Sequence, residues 1–347
     1  MTAAPSLSWP AETAPHDRLW LAFPTGGYTL GDTAADAHEA RQMWADVAAA
    51  AADFEPVTVV VDPSQVEVAA RYLRDDIETV VAPLDDAWMR DIGPTWVRDG
   101  SGGLTAIDWV FNGWGAPAWA TWGKDALIAQ TVAATAGTPV VSSLLVNEGG
   151  AIHTDGEGTV LVTETVQLDQ GRNPHATRER VEAELARTLG ARKVIWLPRG
   201  LTRDYEEFGT RGHVDMVATL PSPGTLLLHV QRNDAHPDFE VTRELRAFFE
   251  GQTDASGRRF DIVELPAPDA LTDDEGPVDY NYVNHVVVNG GVIACAFGDR
   301  VADERAAGIL ADAYPGRRVV SLDARPLFAR GGGIHCITQQ QPAASPA

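Results

Sequence analysis

A pattern that returns five times along the chain constrains its fold more than any other feature. Short Val/Ile-rich runs of strand length recur about every 60 residues. The runs are centred on Val80, Val140, Val194, Ile262 and Val319. One period over 347 residues predicts a single catalytic domain, residues 1–347, built of five similar units.

Each run is preceded by helical spacing and, in most units, followed by a hairpin signal. In the third unit Val181, Leu185 and Leu189 share one helix face, with Thr177 suited to cap the helix and Gly190 to end it. Equivalent helical stretches begin at Val66, Leu127, Val241 and Asp303. Hairpins are predicted over residues 95–110, 151–163, 216–230 and 286–297. The predicted unit is therefore helix, strand, loop and hairpin.

The two ends of the chain supply the strands that the repeat lacks. A last strand is predicted over residues 334–339, and the apolar runs 19–23 and 57–61 lie outside the five units. Pairing these segments would close the units into a ring, which leaves only short sheet edges exposed. An open five-unit α/β sheet is the alternative. Short disordered tails are expected at about residues 1–8 and 342–347.

The charge balance excludes several classes of partner. The chain carries 27 Lys+Arg against 49 Asp+Glu, a formal net charge of −22. Because a negative field repels phosphates, we expect no nucleic-acid partner and no membrane partner, whereas small cations are attracted. No apolar run approaches the ~20 residues of a membrane span, and Met1–Pro10 lacks the features of a signal peptide. A cytoplasmic protein is expected, with homo-oligomerisation left open.

Two cysteines limit the metal and redox chemistry. Cys295 and Cys336 are too few for a disulfide framework or a four-cysteine zinc site. The sequence also lacks a His-Glu-x-x-His motif. A divalent ion held by a cysteine, a histidine and carboxylates is the weaker alternative, so no metal is expected.

Polar residues beside glycines mark the loop before each predicted hairpin and before the last strand. If the units form a closed ring, these loops converge at its centre, and one cysteine, one histidine, three carboxylates and one asparagine face a single pocket. The residues are Asp91, Glu148, His213, Asp215, Asn284 and Cys336. This combination is typical of an enzyme.

Cys336 is the better candidate nucleophile of the two cysteines. It follows three glycines, whose backbone allows a ligand to approach closely, and it opens the predicted last strand. Cys295 lies within an apolar strand and is expected to be a buried packing thiol. Because neighbouring strand residues point to opposite faces, His335 is expected to point away from the site.

His213 is the candidate general acid/base, since it arrives from another unit. Asp215 follows two residues later and points the same way on an extended segment. A cysteine protease would use the cysteine and the histidine but would not explain the carboxylates. A guanidinium substrate explains them, because two carboxylates bind its edges while a thiolate attacks the central carbon.

Several stretches of the chain resemble the agmatine deiminase family, within the guanidine-modifying (pentein) superfamily. They extend from about residue 10 to residue 342. The stretches are Trp88–Pro94, Glu148–His153, Thr163–Glu164, Arg172–Pro174, Gly212–Asp215, Tyr282–Asn284 and Ile334–Pro342. The resemblance implies a five-bladed pseudosymmetric α/β propeller, the pentein fold, in agreement with the five repeats.

The resemblance also implies the catalytic roles. Cys336 is then the nucleophile, His213 the general acid/base, and Asp91 with Asp215 the acceptors of the guanidinium. No metal or organic cofactor is implied.

Substrate-binding roles are implied for three more residues. Trp88 would line the substrate channel and Asn284 would lie near the site. Glu148 would either line the site or brace its glycine turn, and the sequence leaves both open. Arg90 is expected to be structural.

The activity implied by the resemblance is hydrolysis of agmatine, a small cationic guanidine, to N-carbamoylputrescine and ammonia. The reaction would pass through a thiouronium intermediate on Cys336 and serve putrescine biosynthesis. The alternatives are a protein-arginine or other small-guanidine deiminase, an amidinotransferase, and a non-catalytic guanidine- or polyamine-binding module.

The chain departs from the family at the residues that bear on substrate choice. Arg211 stands where an acidic or amide residue is usual, and Asp169 where asparagine is common. Residues 25–35 lack the usual Trp/Asn-rich entrance. If Arg211 faces the site, a carboxylate-bearing guanidine is favoured, and if it faces solvent, agmatine is favoured.

Overall fold

The structure, a computed structural model, describes residues 7–273 and 276–344. Its strands are β1 (His16–Ala22), β2 (Val57–Val61), β3 (Glu78–Val81), β4 (Thr95–Arg98), β5 (Leu104–Val110), β6 (Val140–Val146), β7 (Ile152–Thr154), β8 (Thr159–Thr163), β9 (Lys193–Leu197), β10 (Ala218–Ser222), β11 (Thr225–Val230), β12 (Asp261–Pro266), β13 (Val286–Val288), β14 (Gly291–Ala296), β15 (Arg318–Asp323) and β16 (Thr338–Pro342). Its α-helices are α1 (Ala34–Ala52), α2 (Val66–Ala69), α3 (Met89–Ile92), α4 (Ile128–Thr135), α5 (Glu164–Gln167), α6 (Arg178–Leu189), α7 (Asp238–Glu250), α8 (Arg300–Ala313) and α9 (Arg325–Phe328).

In this part of the chain the strands form five separate sheets. Four sheets have three strands, in the orders β4-β5-β6, β7-β8-β9, β10-β11-β12 and β13-β14-β15. The fifth has four strands in the order β16-β1-β2-β3. The predicted five-bladed α/β propeller is confirmed, and the alternative of one open sheet is wrong because the strands divide into five.

Each three-stranded sheet combines a hairpin with a crossover strand. In one of them β10 and β11 pair antiparallel, and β12 returns parallel to β11 after α7. A parallel return needs a long connection, which the helix provides. Helix α7 buries Val241, Leu245 and Phe249, which lie on one face at the predicted helical spacing.

The boundaries of the repeating unit differ from the sequence prediction. The sequence predicts helix, strand, loop and hairpin, whereas each three-stranded sheet is built from the hairpin first, then the helix, then the strand. The crossover strand is hydrogen-bonded to the hairpin before it, so the loop that follows leads to the next sheet. The polar loops of the sequence therefore all lie at connections between sheets.

The fifth sheet joins the two ends of the chain. Strand β16 pairs antiparallel with β1, with Trp20 opposite Gln339, and β2 and β3 continue the sheet in parallel. The indole Nε1 of Trp20 also donates to Gln341 Oε1 at 2.9 Å. The prediction that the runs 19–23 and 57–61 close a ring is confirmed.

The last strand begins later than predicted. Residues 334–337 form a turn, in which Thr338 N donates to His335 O at 3.1 Å and Thr338 Oγ1 donates to Ile334 O at 3.0 Å. These bonds use local acceptors in place of a neighbouring strand. Cys336 therefore lies in a turn, and the prediction that it opens a strand is wrong.

The two expected disordered tails each include a residue that is ordered in the structure. Ser8 pairs with Arg98 in an isolated bridge, and Pro342 pairs with His16 as the last residue of β16. Backbone pairing orders both residues. Positions 1–6 and 345–347, the outer parts of the expected tails, lie outside the described residues.

Aromatic side chains dominate the apolar core near the closing sheet. Trp20, Phe23 and Trp44 are each no more than 2% exposed. Burying a side chain of this size stabilises the fold by about 3 kcal/mol. Among the described helices, none is both long and apolar enough to cross a lipid bilayer. The expected cytoplasmic location stays a prediction.

Candidate active site

The connections between the sheets bring the predicted site residues to one point. A β-carbon added at Gly150 would lie 2.6 Å from His213 Nδ1, 3.0 Å from Asp91 Oδ1 and 3.1 Å from Asp215 Oδ2. Cys336 Sγ lies 3.7 Å from Asp215 Oδ2. The four side chains come from three different connections and Gly150 from a fourth, so the predicted convergence of the loops is observed.

Cys336 is buried, and its sulfur faces polar groups. Asn284 Nδ2 donates to Sγ at 3.2 Å and Gly333 N donates at 3.4 Å. Burial, followed by the negative charges of Asp215 and Asp91, raises the pKa of the Cys336 thiol well above its usual range. These effects favour the neutral thiol, whereas a cation bound to the carboxylates would favour the thiolate.

Cys295 has a different environment. It is buried in β14 and donates from Sγ to Asn284 O at 3.1 Å. Burial raises the pKa of its thiol to about 12. A thiol packed in a strand and held protonated fits the structural role predicted for it.

His213 is fixed at both its backbone and its ring. The carboxylate of Asp204 accepts from the backbone N–H of Gly212 at 2.7 Å and of His213 at 2.9 Å, which shapes the loop. The ring Nε2 lies 3.2 Å from Glu148 Oε2, and Nδ1 lies 3.9 Å from Asp91 Oδ1. Burial lowers the pKa of His213, but the charges of Asp91 and Glu148 outweigh it and raise the pKa to about 9.

Glu148 holds His213 through a buried ion pair. Its carboxylate accepts from Arg172 Nε at 2.9 and 3.1 Å as well as contacting the histidine. Burial raises the pKa of Glu148, but Arg172 and then His213 outweigh it and bring the pKa down to about 2. Glu148 is thus ionised, and its side chain positions the candidate acid/base.

Asp91 is held by two donors. Its Oδ1 accepts from Gly150 N at 3.0 Å and its Oδ2 from Trp114 Nε1 at 2.8 Å. Burial is the largest effect on this carboxyl and raises its pKa to about 6, against the opposing charge of His213. Asp91 is therefore ionised above about pH 6 and ready to accept from a cation.

Asp215 has one occupied oxygen and one free oxygen. Oδ2 lies 2.8 Å from His335 Nδ1. Oδ1 is buried and has no hydrogen-bond partner among residues 7–273 and 276–344. Burial would raise the pKa of this carboxyl, but the hydrogen bond and charge of His335 lower it. A buried, unpaired carboxylate oxygen is costly unless a ligand donates to it.

Asn284 and Trp88 lie beside the sulfur. Asn284 donates to Cys336 Sγ, and its Oδ1 accepts from His335 N at 2.9 Å. A β-carbon at Gly332 would lie 2.6 Å from the Trp88 ring and 3.1 Å from Cys336 Sγ, so only glycine fits between them. The two predicted neighbours of the site are thus placed against the thiol.

Aromatic rings cluster around Tyr28, beside two cavities. Tyr28 stacks on Phe208 at 4.8 Å and contacts the edge of Trp119 at 5.1 Å. Tyr28 also borders two cavities of about 340 and 740 Å³. The carboxylates on their walls are Asp62, Asp85 and Asp86 in the smaller cavity and Asp32, Asp204, Glu206, Glu207 and Asp279 in the larger. Lys124 lies on the wall of the smaller cavity, and Arg203 and Arg330 on that of the larger, so carboxylates outnumber basic side chains in both. An excess of negative charge attracts cations.

Arg211 stands in the loop beside His213 but is exposed. Its backbone N donates to Asp204 O at 2.8 Å, and its φ of +72° lies in the left-handed region. The residue completes the tight loop around Asp204 while its side chain extends to solvent.

Sequence reasoning missed Trp114 and misplaced His335. Trp114 has a φ of +62° in a glycine-flanked loop, and this conformation directs its indole to Asp91. His335 is predicted to point away from the site, yet it contacts Asp215, because the segment is a turn and not a strand. Arg90 contacts His335 O and Gln340 Oε1, which fits its predicted structural role.

One buried cluster has the composition of a metal site. Glu12, His153 and His335 each offer a ligand atom, and these atoms lie within 4.8 Å of one another. The Arg90 guanidinium, however, lies 3.4 Å from Glu12 Oε1, where it competes with a cation. The nitrogen that His335 would offer is already hydrogen-bonded to Glu12 at 2.9 Å. The cluster is better suited to holding protons than a metal ion.

Comparison with known proteins places nearly the whole chain in one protein family. The profile of the family described as Porphyromonas-type peptidyl-arginine deiminase matches residues 8–342. A Streptomyces coelicolor protein is 57% identical over 334 residues, which are 96% of this chain and 98% of that protein. The agmatine deiminase of Medicago truncatula is 37% identical over 96% of each chain.

A solved structure gives the same result at the level of the fold. The agmatine deiminase of Enterococcus faecalis superposes with a TM-score of 0.91 and 28% identity, over 99% of each chain. The similarity extends through all five sheets.

Proposed function

The chain belongs to the Porphyromonas-type peptidyl-arginine deiminase family, and within it we propose that the protein hydrolyses agmatine to N-carbamoylputrescine and ammonia. The observation that carries the proposal is the group of Asp91, Asp215 and His213 around one point beside Cys336. Two carboxylates that face the same space match the two edges of a planar guanidinium.

In the proposed reaction the bound substrate activates the Cys336 thiol. The guanidinium binds to the carboxylates of Asp91 and Asp215, and its charge lowers the pKa of the Cys336 thiol, whose proton leaves to solvent. The thiolate then forms a C–S bond with the guanidinium carbon. His213, protonated below about pH 9, donates its proton to one amino group, the C–N bond breaks and ammonia departs.

Water completes the cycle on the same residues. The departure of ammonia leaves a cationic thiouronium group on Cys336 and a neutral His213. His213 takes a proton from water as the oxygen adds to the carbon, and the C–S bond then breaks to return the thiolate. The hydroxyl group on that carbon loses its proton to give the ureido product. That proton ends on ammonia as ammonium, and the Cys336 thiolate takes a proton back from solvent when the product leaves, so the reaction balances without a redox partner.

The surroundings of the site favour a substrate with a second positive charge. Both cavities beside Tyr28 have acidic walls, and Arg211 is exposed. Agmatine carries a distal ammonium and no carboxylate, so it suits this field better than free arginine does. The product would require hydrolysis of its ureido group to reach putrescine, which places the proposed step in putrescine biosynthesis.

Ammonia release tests the proposal. The purified protein is assayed with agmatine, arginine, an arginine-containing peptide and other guanidines, with and without an added acceptor amine. We expect the highest kcat/KM with agmatine, and ammonia release that does not depend on the amine. A preference for arginine would overturn the choice of substrate, and no ammonia from any guanidine would overturn deimination.

The two cysteines provide a matched pair of variants. Cys336→Ser is expected to lose turnover and remain folded, because a hydroxyl is a far weaker nucleophile at neutral pH. Cys295→Ser keeps a small polar side chain in β14 and is expected to retain most activity. The opposite result would move the nucleophile to Cys295.

A further inference from the structure

His335 lies between two buried carboxylates. Its Nδ1 is 2.8 Å from Asp215 Oδ2 and its Nε2 is 2.9 Å from Glu12 Oε1. His335 is 3% exposed, Asp215 3% and Glu12 8%, so water does not replace either contact. The three side chains form a continuous line that ends at the site.

The two contacts define the charge of the imidazole. A neutral imidazole has one donor and one acceptor nitrogen, whereas an ionised carboxylate only accepts. Two short contacts to carboxylates therefore require a proton on both nitrogens. Burial and the Arg90 charge lower the pKa of His335, but Glu12 and Asp215 outweigh them and raise the pKa above its usual value.

The surrounding charges balance. His335 and Arg90 supply two positive charges, and Glu12 and Asp215 supply two negative charges within one buried cluster. His153 Nδ1 lies 3.8 Å from Glu12 Oε1, and burial lowers the pKa of His153 to about 4. Burial also lowers the pKa of His285 to about 4 and raises the pKa of Tyr314, so all three neighbours are neutral at pH 7. On the side of the site, Asp215 also faces His213, Asp91 and the Cys336 thiol.

We propose that Glu12 and His335 act as a positioning pair, which keeps Asp215 ionised and fixes the orientation of its carboxylate for the guanidinium substrate. His335 Nδ1 is hydrogen-bonded to Asp215 Oδ2, so the carboxylate cannot rotate without breaking a charged hydrogen bond. The same bond keeps Asp215 negative next to the buried sulfur of Cys336, 3.7 Å away. This inference rests on the proposed function, since it assigns Asp215 to a guanidinium.

The arrangement has a direct chemical advantage. Without these bonds the carboxylate of Asp215 could rotate, and a guanidinium would have to reorient it on binding. A fixed acceptor holds the substrate carbon near Sγ without that cost, and a displacement of about 1 Å at such a group can cost about 10²-fold in rate.

The experiment compares two buried histidines of the same cluster. His335→Gln retains a donor for Asp215 but removes the positive charge. His153→Gln is the control, because His153 also lies beside Glu12 but donates or accepts at Thr219 Oγ1, 2.9 Å away. Circular dichroism and thermal unfolding show whether each variant is folded.

The first measurement is the pH profile of kcat/KM for ammonia release from agmatine. Without the charge at position 335 the carboxyl of Asp215 takes up a proton more readily, so the acid limb of His335→Gln moves to higher pH. At neutral pH we expect kcat/KM to fall by about 10²-fold. The His153→Gln profile is expected to overlie that of the wild type.

The second measurement does not use the reaction. Cys336 is alkylated with 2-chloroacetamidine, a cationic amidine, and with neutral iodoacetamide, and the modified peptide is identified by mass spectrometry. The preference for the cation is expected to fall about tenfold in His335→Gln, because Asp215 no longer holds the amidine in place. In His153→Gln this preference is expected to stay at the wild-type value.

The outcomes separate the two proposals. A wild type that releases no ammonia refutes the proposed function. An active wild type in which His335→Gln and His153→Gln behave alike in both measurements refutes the positioning pair. If His335→Gln does not fold, Glu12→Gln takes its place, and we expect a smaller shift of the acid limb in the same direction. An unshifted limb in that variant overturns the inference.

Discussion

Replacing Glu148 by glutamine tests how the protein keeps a proton on His213. Glutamine has the same shape and still accepts from Arg172, but it lacks the negative charge that lies 3.2 Å from His213 Nε2. His213 must be protonated to release ammonia in the proposed reaction. The variant should therefore lose activity at high pH first.

The size of the effect follows from the surroundings of His213. Its pKa stands at about 9 instead of 6.5, which corresponds to roughly 3 kcal/mol at 1.36 kcal/mol per unit. Asp91, Glu148 and Asp215 share this stabilisation, so the loss of Glu148 should remove about one unit. The basic limb of kcat/KM then moves about one pH unit down, and activity at pH 9 relative to pH 7 falls about fivefold.

The assay is ammonia release from agmatine between pH 5 and pH 10, compared with the wild type. Asp169→Asn is the control, because Asp169 pairs with the same guanidinium through Arg172 Nη1 at 3.2 Å. That variant perturbs Arg172 and should leave the basic limb in place. A Glu148→Gln profile with an unchanged basic limb, or one that moves to higher pH, would refute the reasoning.

Two further predictions concern other buried groups. Trp114→Phe removes the indole N–H that donates to Asp91 Oδ2, so the pKa of Asp91 should rise beyond about 6 and the acid limb of kcat/KM should move about one unit up; an unshifted limb contradicts this. Burial, then His236, lowers the pKa of His229 to about 3. Below about pH 6.5 the unfolded chain therefore binds a proton at His229 that the folded chain does not bind. His229→Leu should therefore recover about 2 kcal/mol of the stability that the wild type loses between pH 7 and pH 5, as measured by thermal unfolding, and an equal loss in both proteins would contradict it.

Much of the fold follows from local patterns. The helix face of Val181, Leu185 and Leu189 is set by spacing within one segment, and all three side chains are buried as predicted. The polar loops also lie where glycine interrupts the pattern. The grouping of strands into sheets is different, because it depends on which hairpin a crossover strand pairs with, and no local pattern carries that information.

In the site, too, features set by local sequence are predicted, and features set by backbone turns or distant contacts are not. The residues proposed to bind a guanidinium are predicted from glycine-rich loops and a family resemblance, and they do meet. His335 was misplaced because Thr338 bonds back to residues 334 and 335 and turns the chain before the strand begins. Glu12 was missed because its contact with His335 spans 323 residues of sequence. Trp114 depends on a left-handed backbone conformation that its residue type does not favour.

The pairing of β1 with β16 has a consequence for how the protein comes into being during translation. Of the described strands, the ribosome makes β1 first and β16 last, and Cys336, the proposed nucleophile, leaves it only shortly before β16. The sheet that contains β1 therefore stays incomplete until synthesis is almost over. A chain that terminates before Cys336 lacks both the closing strand and the proposed nucleophile.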